Sequence, residues 1–206
     1  FIKPEKKLKD PRILFVIGLH RSGATVVAQH LNIHLDLNNF SNYQILFKRS
    51  AYIHQYFKSK VKKIIFRNFY GNSFLLNDVS DLNEFWNFHL NIKNNEFIEK
   101  NFKPSKKIYD YLQLFYSFNK KIILIKNGRG LFIVKQLSKL FKKSYFIIVD
   151  RDIKLINKSV KNARKVFFNY DWGLKTNREK YTQDITLSAR NRKLKKILID
   201  QLKKIN

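Results

Sequence analysis

The stretch Ile13-Leu-Phe-Val-Ile17 followed by Gly18-Leu-His-Arg-Ser-Gly23-Ala-Thr25 decides the fold. The apolar run reads as a buried strand, two glycines bracket a turn, and Thr25 to about Leu31 reads as a helix. A strand, a tight turn and a helix start make a place where anions bind. The first backbone N–H groups of a helix have no intrahelical partner, and the helix dipole favours negative charge there. Gly18 and Gly23 let the chain turn and lie close against a phosphate. The spacing fits G-x-x-x-x-G-K-[ST], except that Ala24 stands where the lysine belongs. Arg21, inside the loop, is the replacement cation, so the loop reads as a phosphate cradle whose positive charge has moved.

His20-Arg21-Ser22-Gly23-Ala24-Thr25 resembles the H/P-R-S-G-T-[TS] loop of the sulfotransferase family, in the form found in bacterial members with G-x-H-R-S-G-T-S. In that family the loop binds the 5′-phosphosulfate of 3′-phosphoadenosine 5′-phosphosulfate (PAPS). A second segment agrees. Lys143-Ser-Tyr-Phe-Ile-Ile-Val149 reads as another buried strand, Asp150-Arg151-Asp152 follows, and Ser159 lies eight residues beyond Arg151. The family ends a strand in R-D-P, with a serine eight positions after the arginine. That pair holds the 3′-phosphate, the group that separates this donor from ATP. Arginine can grip a phosphate with two parallel N–H bonds, and a serine hydroxyl adds a further donor. Ile153 replaces the usual proline. A third segment, Ile122-Ile-Leu-Ile125 and then Lys126-Asn127-Gly128-Arg129, is similar to the family's K-[ND]-P-R stretch, with Gly128 in the proline's place.

The resemblance implies an α/β fold of P-loop type, a three-layer sandwich with a central parallel sheet and helices on both faces. It implies a donor site of Arg21, Ser22, Gly23, Ala24, Thr25, Arg151 and Ser159. The donor would be PAPS, the product adenosine 3′,5′-bisphosphate (PAP), and no metal is called for. Sulfonate transfer asks mainly for alignment and for positive charge where the leaving phosphate develops negative charge. Arg21 and Lys126 are the candidates for that catalytic role. The acceptor is a hydroxyl or amine of a carbohydrate, a lipid or a small molecule, and its proton needs a base. Aligned without gaps, Asn42 falls where tyrosine-directed family members carry a catalytic glutamate, and an asparagine cannot act as a base. His20, His34, Asp36, Glu84 and His89 are the substitutes, of which His20 has the advantage of lying in the loop. Ala24 lacks the hydroxyl that the family has there.

Composition bounds the rest. The chain has 206 residues, 44% of them hydrophobic, with 19 Phe and 10 Tyr, enough for one globular domain over 1–206. It begins with Phe and contains no Met, which fits a fragment or a trimmed chain. There is no Cys, so neither disulfides nor thiolate metal sites arise, and the five His show no zinc-ligand spacing. No apolar run approaches the roughly 20 residues that span a bilayer, and no secretory signal is present, so a cytoplasmic location is expected. Lys plus Arg number 42 against 15 acids, a formal charge of +27. AT-rich codons account for much of the Lys, Asn, Ile and Phe, but not for the scarcity of acids. Such a field concentrates a multiply charged donor or an anionic acceptor, and favours polyanions and anionic membrane surfaces.

Short apolar runs at 13–17, 122–125 and 145–149 read as buried parallel strands. A helix starts near Asp81-Leu-Asn-Glu84, and another opens at Pro104-Ser105 and buries Ile108, Tyr111, Leu112 and Phe115. Leu131 to Leu140 and Ile153 to Lys165 are helices beside the last strand. A basic amphipathic helix covers about 186–205, with Leu187, Leu194, Ile197, Leu198 and Leu202 on one side. Two other functions remain open. Phe146-Ile-Ile-Val-Asp150 resembles the metal-binding strand of a P-loop kinase or NTPase, and Ala24 with Asn42 would suit a nucleotide-binding relative that has lost catalysis.

Overall fold

A computed structural model of the chain describes residues 9–50, 79–80, 83–89, 105–127, 133–166 and 184–203. The decisive strand forms as β1, Ile13–Gly18, and the following helix as α1, Ala24–His34, about one turn longer than its apolar pattern predicts. Next come β2, Asn38–Asn39, and the short α2, Asn42–Leu46. They are followed by α3, Asn83–His89, and α4, Lys106–Ser117. The remaining described elements are β3, Ile123–Lys126; α5, Val134–Leu140; β4, Ser144–Val149; α6, Ile153–Val166; and α7, Asp184–Lys203.

The strands are parallel and lie in the order β2-β3-β1-β4, with Ile13 beside Ile123 and Ser144, and Gly18 beside Val149. Successive side chains of a strand point to opposite faces. Ile13, Phe15 and Ile17 of β1, with Ile123 and Ile125 of β3, therefore join one core, against α3, α4, α5, α6 and α7. Val16 and Leu124 face the other way, against Ala28 of α1 and Val79. Burial on both faces is why these strands read as unbroken apolar runs. The fold is thus the expected α/β sandwich of a parallel sheet with helices on both faces.

On the larger face α4 buries Ile108, Tyr111, Leu112 and Phe115, as its spacing predicts. Phe40 anchors this layer, its ring 5.0 Å from Phe85 and 5.2 Å from Phe115 in edge-to-face contact. Each such pair adds about 0.5–1.5 kcal/mol beyond area burial.

Two details differ from the sequence expectation. β3 is shifted one residue along from the apolar run, so it starts at Ile123 and ends at Lys126. β2 has no hydrophobic signal at all. Backbone bonds hold it, from Asn38 N–H to the Ile122 carbonyl and from Phe40 N–H to the Leu124 carbonyl, both 2.8 Å. In α7, Leu198 is buried and Ile197 and Leu202 are half-buried. Asp81, Gly128, Arg129 and Leu131 lie outside the described residues, as do the side chains of Glu84, Leu187 and Leu194. Among the described residues no helix is long and apolar enough to cross a membrane.

The topology sets the site. From β1 the chain passes through α1 to β2 on one side, whereas α5 carries it from β3 across β1 to β4 on the other. Connections that diverge in this way open a crevice at the carboxyl ends of the strands.

Candidate active site

The loop between β1 and α1 folds tightly over the end of its own strand. A Cβ on Gly18 would overlap Ser22 Oγ and lie 2.9 Å from the Val149 carbonyl oxygen, so only glycine fits. Arg21 takes φ 66° and Gly23 φ 103°. The left-handed turn at Arg21 costs a non-glycine residue about 1–2 kcal/mol, and it brings Ser22 N–H to the Leu19 carbonyl at 3.0 Å. Gly23 caps α1 by backbone alone, with no side chain on the helix end. First-turn amides and the positive end of the helix dipole are thereby presented to an anion. Ser22 Oγ is buried against Gly18 and has no hydrogen-bond partner.

Three cations converge on this loop from three strand ends. Arg21 Nε donates to Ser159 Oγ at 3.1 Å. Arg151, just after β4, donates from Nη1 to the Arg21 carbonyl at 3.2 Å. Lys126, at the tip of β3 and only 6% exposed, donates from Nζ to Thr25 Oγ1 at 2.9 Å. Arg21, Ser22, Gly23, Ala24, Thr25, Lys126, Arg151 and Ser159 thus form one cluster at the carboxyl edge of the sheet. Ser159 reaches it because α6 starts directly beside Arg151. The Asp152 carboxylate caps that helix, accepting from the N–H groups of Lys154 at 2.7 Å and Leu155 at 3.2 Å. Ile153 is the first helical residue, where proline is tolerated and never required. Replacing the family's proline there leaves the cap intact.

Asp150 is held as well. Its Oδ1 accepts the Arg151 N–H at 2.9 Å and its Oδ2 accepts from Lys195 Nζ of α7 at 2.8 Å. The bond from Lys195 holds the Asp150 carboxyl below its ordinary range. Nothing in the sequence links these two residues, and the clamp emerges only when α7 packs beside α6.

The candidate bases separate by position. His20 is exposed in the loop itself. His34 closes α1, whose eleven residues place it about 15 Å along the helix from the loop, and its ring stacks on His30 at 5.7 Å. Asp36 pairs with Lys121, ahead of β3, so it too belongs to the amino edge. His89 packs among Phe85, Phe88 and Tyr111 and donates from Nε2 to the Lys48 carbonyl at 3.0 Å. Burial lowers its pKa below 6.5. Asn42 opens α2, immediately beyond the end of β2. Among the described residues no three His, Cys, Asp or Glu group as metal ligands do.

The sequence matches no family model and no curated protein. Among solved structures, this fold is similar to that of the sulfotransferase STF1 from Mycobacterium tuberculosis H37Rv. The TM-score is 0.55 at 13% identity, over 97% of this chain and 59% of that one. The chain therefore spans about three fifths of that protein's length and shares a sulfotransferase fold with it.

Proposed function

We propose that this chain is a sulfotransferase that moves a sulfonate group from PAPS to a hydroxyl or amine of a carbohydrate, lipid or small-molecule acceptor. The observation that carries the proposal is the convergence of Arg21, Lys126, Arg151 and Ser159 on a helix start that has no side-chain cap. The residues fit such a donor. Gly23 leaves open space at the helix start, Ser22 keeps a buried hydroxyl without a partner, and cations stand at three strand ends.

In this reading the loop amides, Thr25 and Arg21 hold the 5′-phosphosulfate, while Arg151 and Ser159 hold the 3′-phosphate. The acceptor lone pair forms a bond to sulfur as the bond from sulfur to the bridging oxygen breaks. The electron pair leaves on the 5′-phosphate of PAP. Arg21 and Lys126 stabilise the charge that gathers on that oxygen, and as fixed groups they need little reorganisation. His20, in the loop, takes the acceptor proton.

A magnesium-dependent kinase would use the same strand-loop-helix differently. Its loop hydroxyl faces the metal, and the carboxylate after its metal-binding strand completes the site. Here the hydroxyl in that position, Thr25 Oγ1, accepts from the Lys126 ammonium, and Asp150 is bonded to Arg151 and Lys195. Both groups already have nitrogen donors as partners, which favours a transfer that uses no metal.

The test is calorimetric titration with PAP, ATP and 5′-AMP of the chain and of Arg151→Ala. The expectation is tight binding of PAP, weak binding of the other two, and at least about a tenfold loss in the variant, or 1.4 kcal/mol. ATP bound as well as PAP, with Arg151→Ala indifferent, would sink the proposal in favour of a kinase. PAP binding without sulfonate transfer to any acceptor would identify a catalytically impaired relative.

A further inference from the structure

The corner where α2 meets α3 brings exposed apolar side chains and cations together. Leu46 is 60% exposed, Phe88 38% and Phe47 37%. The Lys48 ammonium and the Arg49 guanidinium lie 5.4 Å and 5.5 Å from the centre of the Phe88 ring. His89, the next residue on α3, braces the corner through its bond to the Lys48 carbonyl. The sequence has no Asp or Glu from Leu37 to Asn77, so no acid within that stretch offsets the two cations.

Apolar tips flanked by Lys and Arg match the boundary between lipid headgroups and acyl chains. The tips enter the apolar side, and the long basic side chains reach back to the phosphates. We infer that Leu46, Phe47 and Phe88, with Lys48 and Arg49, dock this chain on an anionic lipid bilayer surface. A polynucleotide suits the corner less. Two cations already lie over the Phe88 ring, where a base would have to stack, and Leu46 has no counterpart on a polyphosphate. Docking needs no sulfonate chemistry and stands apart from that proposal. The two are neighbours in space, however. α2 leaves the sheet at the end of β2 and is only five residues long, about 8 Å, so the candidate site would lie close to the headgroups.

The test is co-sedimentation of the whole chain with vesicles of phosphatidylcholine and phosphatidylserine, and with phosphatidylcholine alone. The variants are Leu46→Gln, the pair Lys48→Gln/Arg49→Gln, and a charge-matched control, Lys139→Gln/Lys142→Gln, around the end of α5. Binding only to the anionic vesicles is expected. The corner pair should lower the partition coefficient about thirtyfold, at about 1 kcal/mol for each cation. Leu46→Gln should lower it about fivefold, and the control by less than about threefold. An equal fall in the control would overturn the inference, since net charge alone would then explain binding. So would absence of vesicle binding, or an RNA oligonucleotide bound through the same corner in its place. PAP titration of the corner variants reports whether they fold. If PAP fails to bind even the unmodified chain, the vesicle result still stands on its own.

Discussion

Gly18→Ala tests the geometry on which the candidate site depends. The new Cβ would overlap Ser22 Oγ, and it would meet the Val149 carbonyl oxygen at 2.9 Å and Val149 Cβ at 3.2 Å. The serine can in principle turn aside, but the carbonyl belongs to β4, paired in register with Gly18. Overpacking of this kind costs about 1–3 kcal/mol. For a domain of this size each kcal/mol shifts Tm by about 2–4 °C, so a fall of about 2–12 °C is expected.

A second substitution divides that loss between its two sources. Ser22→Ala removes the overlapping oxygen and breaks no hydrogen bond, because Ser22 Oγ has no partner. Gly18→Ala/Ser22→Ala should therefore recover about half of the lost Tm. The cycle of two single variants and the double should show a favourable coupling of at least about 0.5 kcal/mol. Thermal melts followed by circular dichroism, with and without PAP, provide the measurement. A Gly18→Ala protein that melts with the unmodified chain, or losses that simply add in the double variant, would refute the packing of this loop.

Two further outcomes concern buried groups. Gln29 is 1% exposed on α1, and neither its Oε1 nor its Nε2 has a hydrogen-bond partner. Gln29→Met keeps the shape and removes a desolvation penalty of about 1–3 kcal/mol, so Tm should rise, and a fall would mean that water serves the amide. His89 titrates below 6.5 because burial disfavours its cation. The unfolded chain then binds the proton more readily, so its contribution to stability is complete above pH 6.5 and is lost as pH falls toward the lowered folded value. His89→Phe should flatten the stability profile between neutral and mildly acidic pH in urea melts, and an unchanged slope would exclude His89 as its source.

The sequence was most legible where one local rule sufficed. The apolar run of β1 with its glycines and the spacing of α4 each follow from nearest-neighbour geometry, whereas Arg151 and Ser159 stand out only through the family resemblance. β2 was illegible because Asn38 and Asn39 carry no hydrophobic signal and owe their conformation to the edge of β3. The contacts that assemble the site were illegible for a different reason. Lys126 meets Thr25 across 101 positions and Arg21 meets Ser159 across 138, separations set by crossovers and not by any local pattern. The same limit hid how far His34 and Asp36 lie from the loop, where His20 already had the advantage of position. They lie within one short stretch of sequence, yet α1 carries the chain from one edge of the sheet to the other, leaving only His20 in the loop.

The loss of lysine at position 24 takes on a different meaning once the strand ends are seen together. In the G-x-x-x-x-G-K-[ST] loop, positive charge comes from a flexible side chain on the loop and from a metal on the following hydroxyl. Here the hydroxyl keeps its place but meets Lys126, a cation fixed at the tip of a buried strand. Arg21 supplies the loop's own charge, its side chain bonded to Ser159 and its carbonyl to Arg151. A hydrated dication must shed water and find an octahedral set of oxygens before it can act. Ammonium and guanidinium groups attached to β3, to β4 and to the loop are already in position, and in the proposed transfer their donors would stay in place while charge develops. They also sit in a chain whose 42 Lys and Arg against 15 acids draw anions toward the whole surface. Ala24 is therefore consistent with an anion site whose charge has been redistributed to three strand ends, and it does not require that the site has decayed.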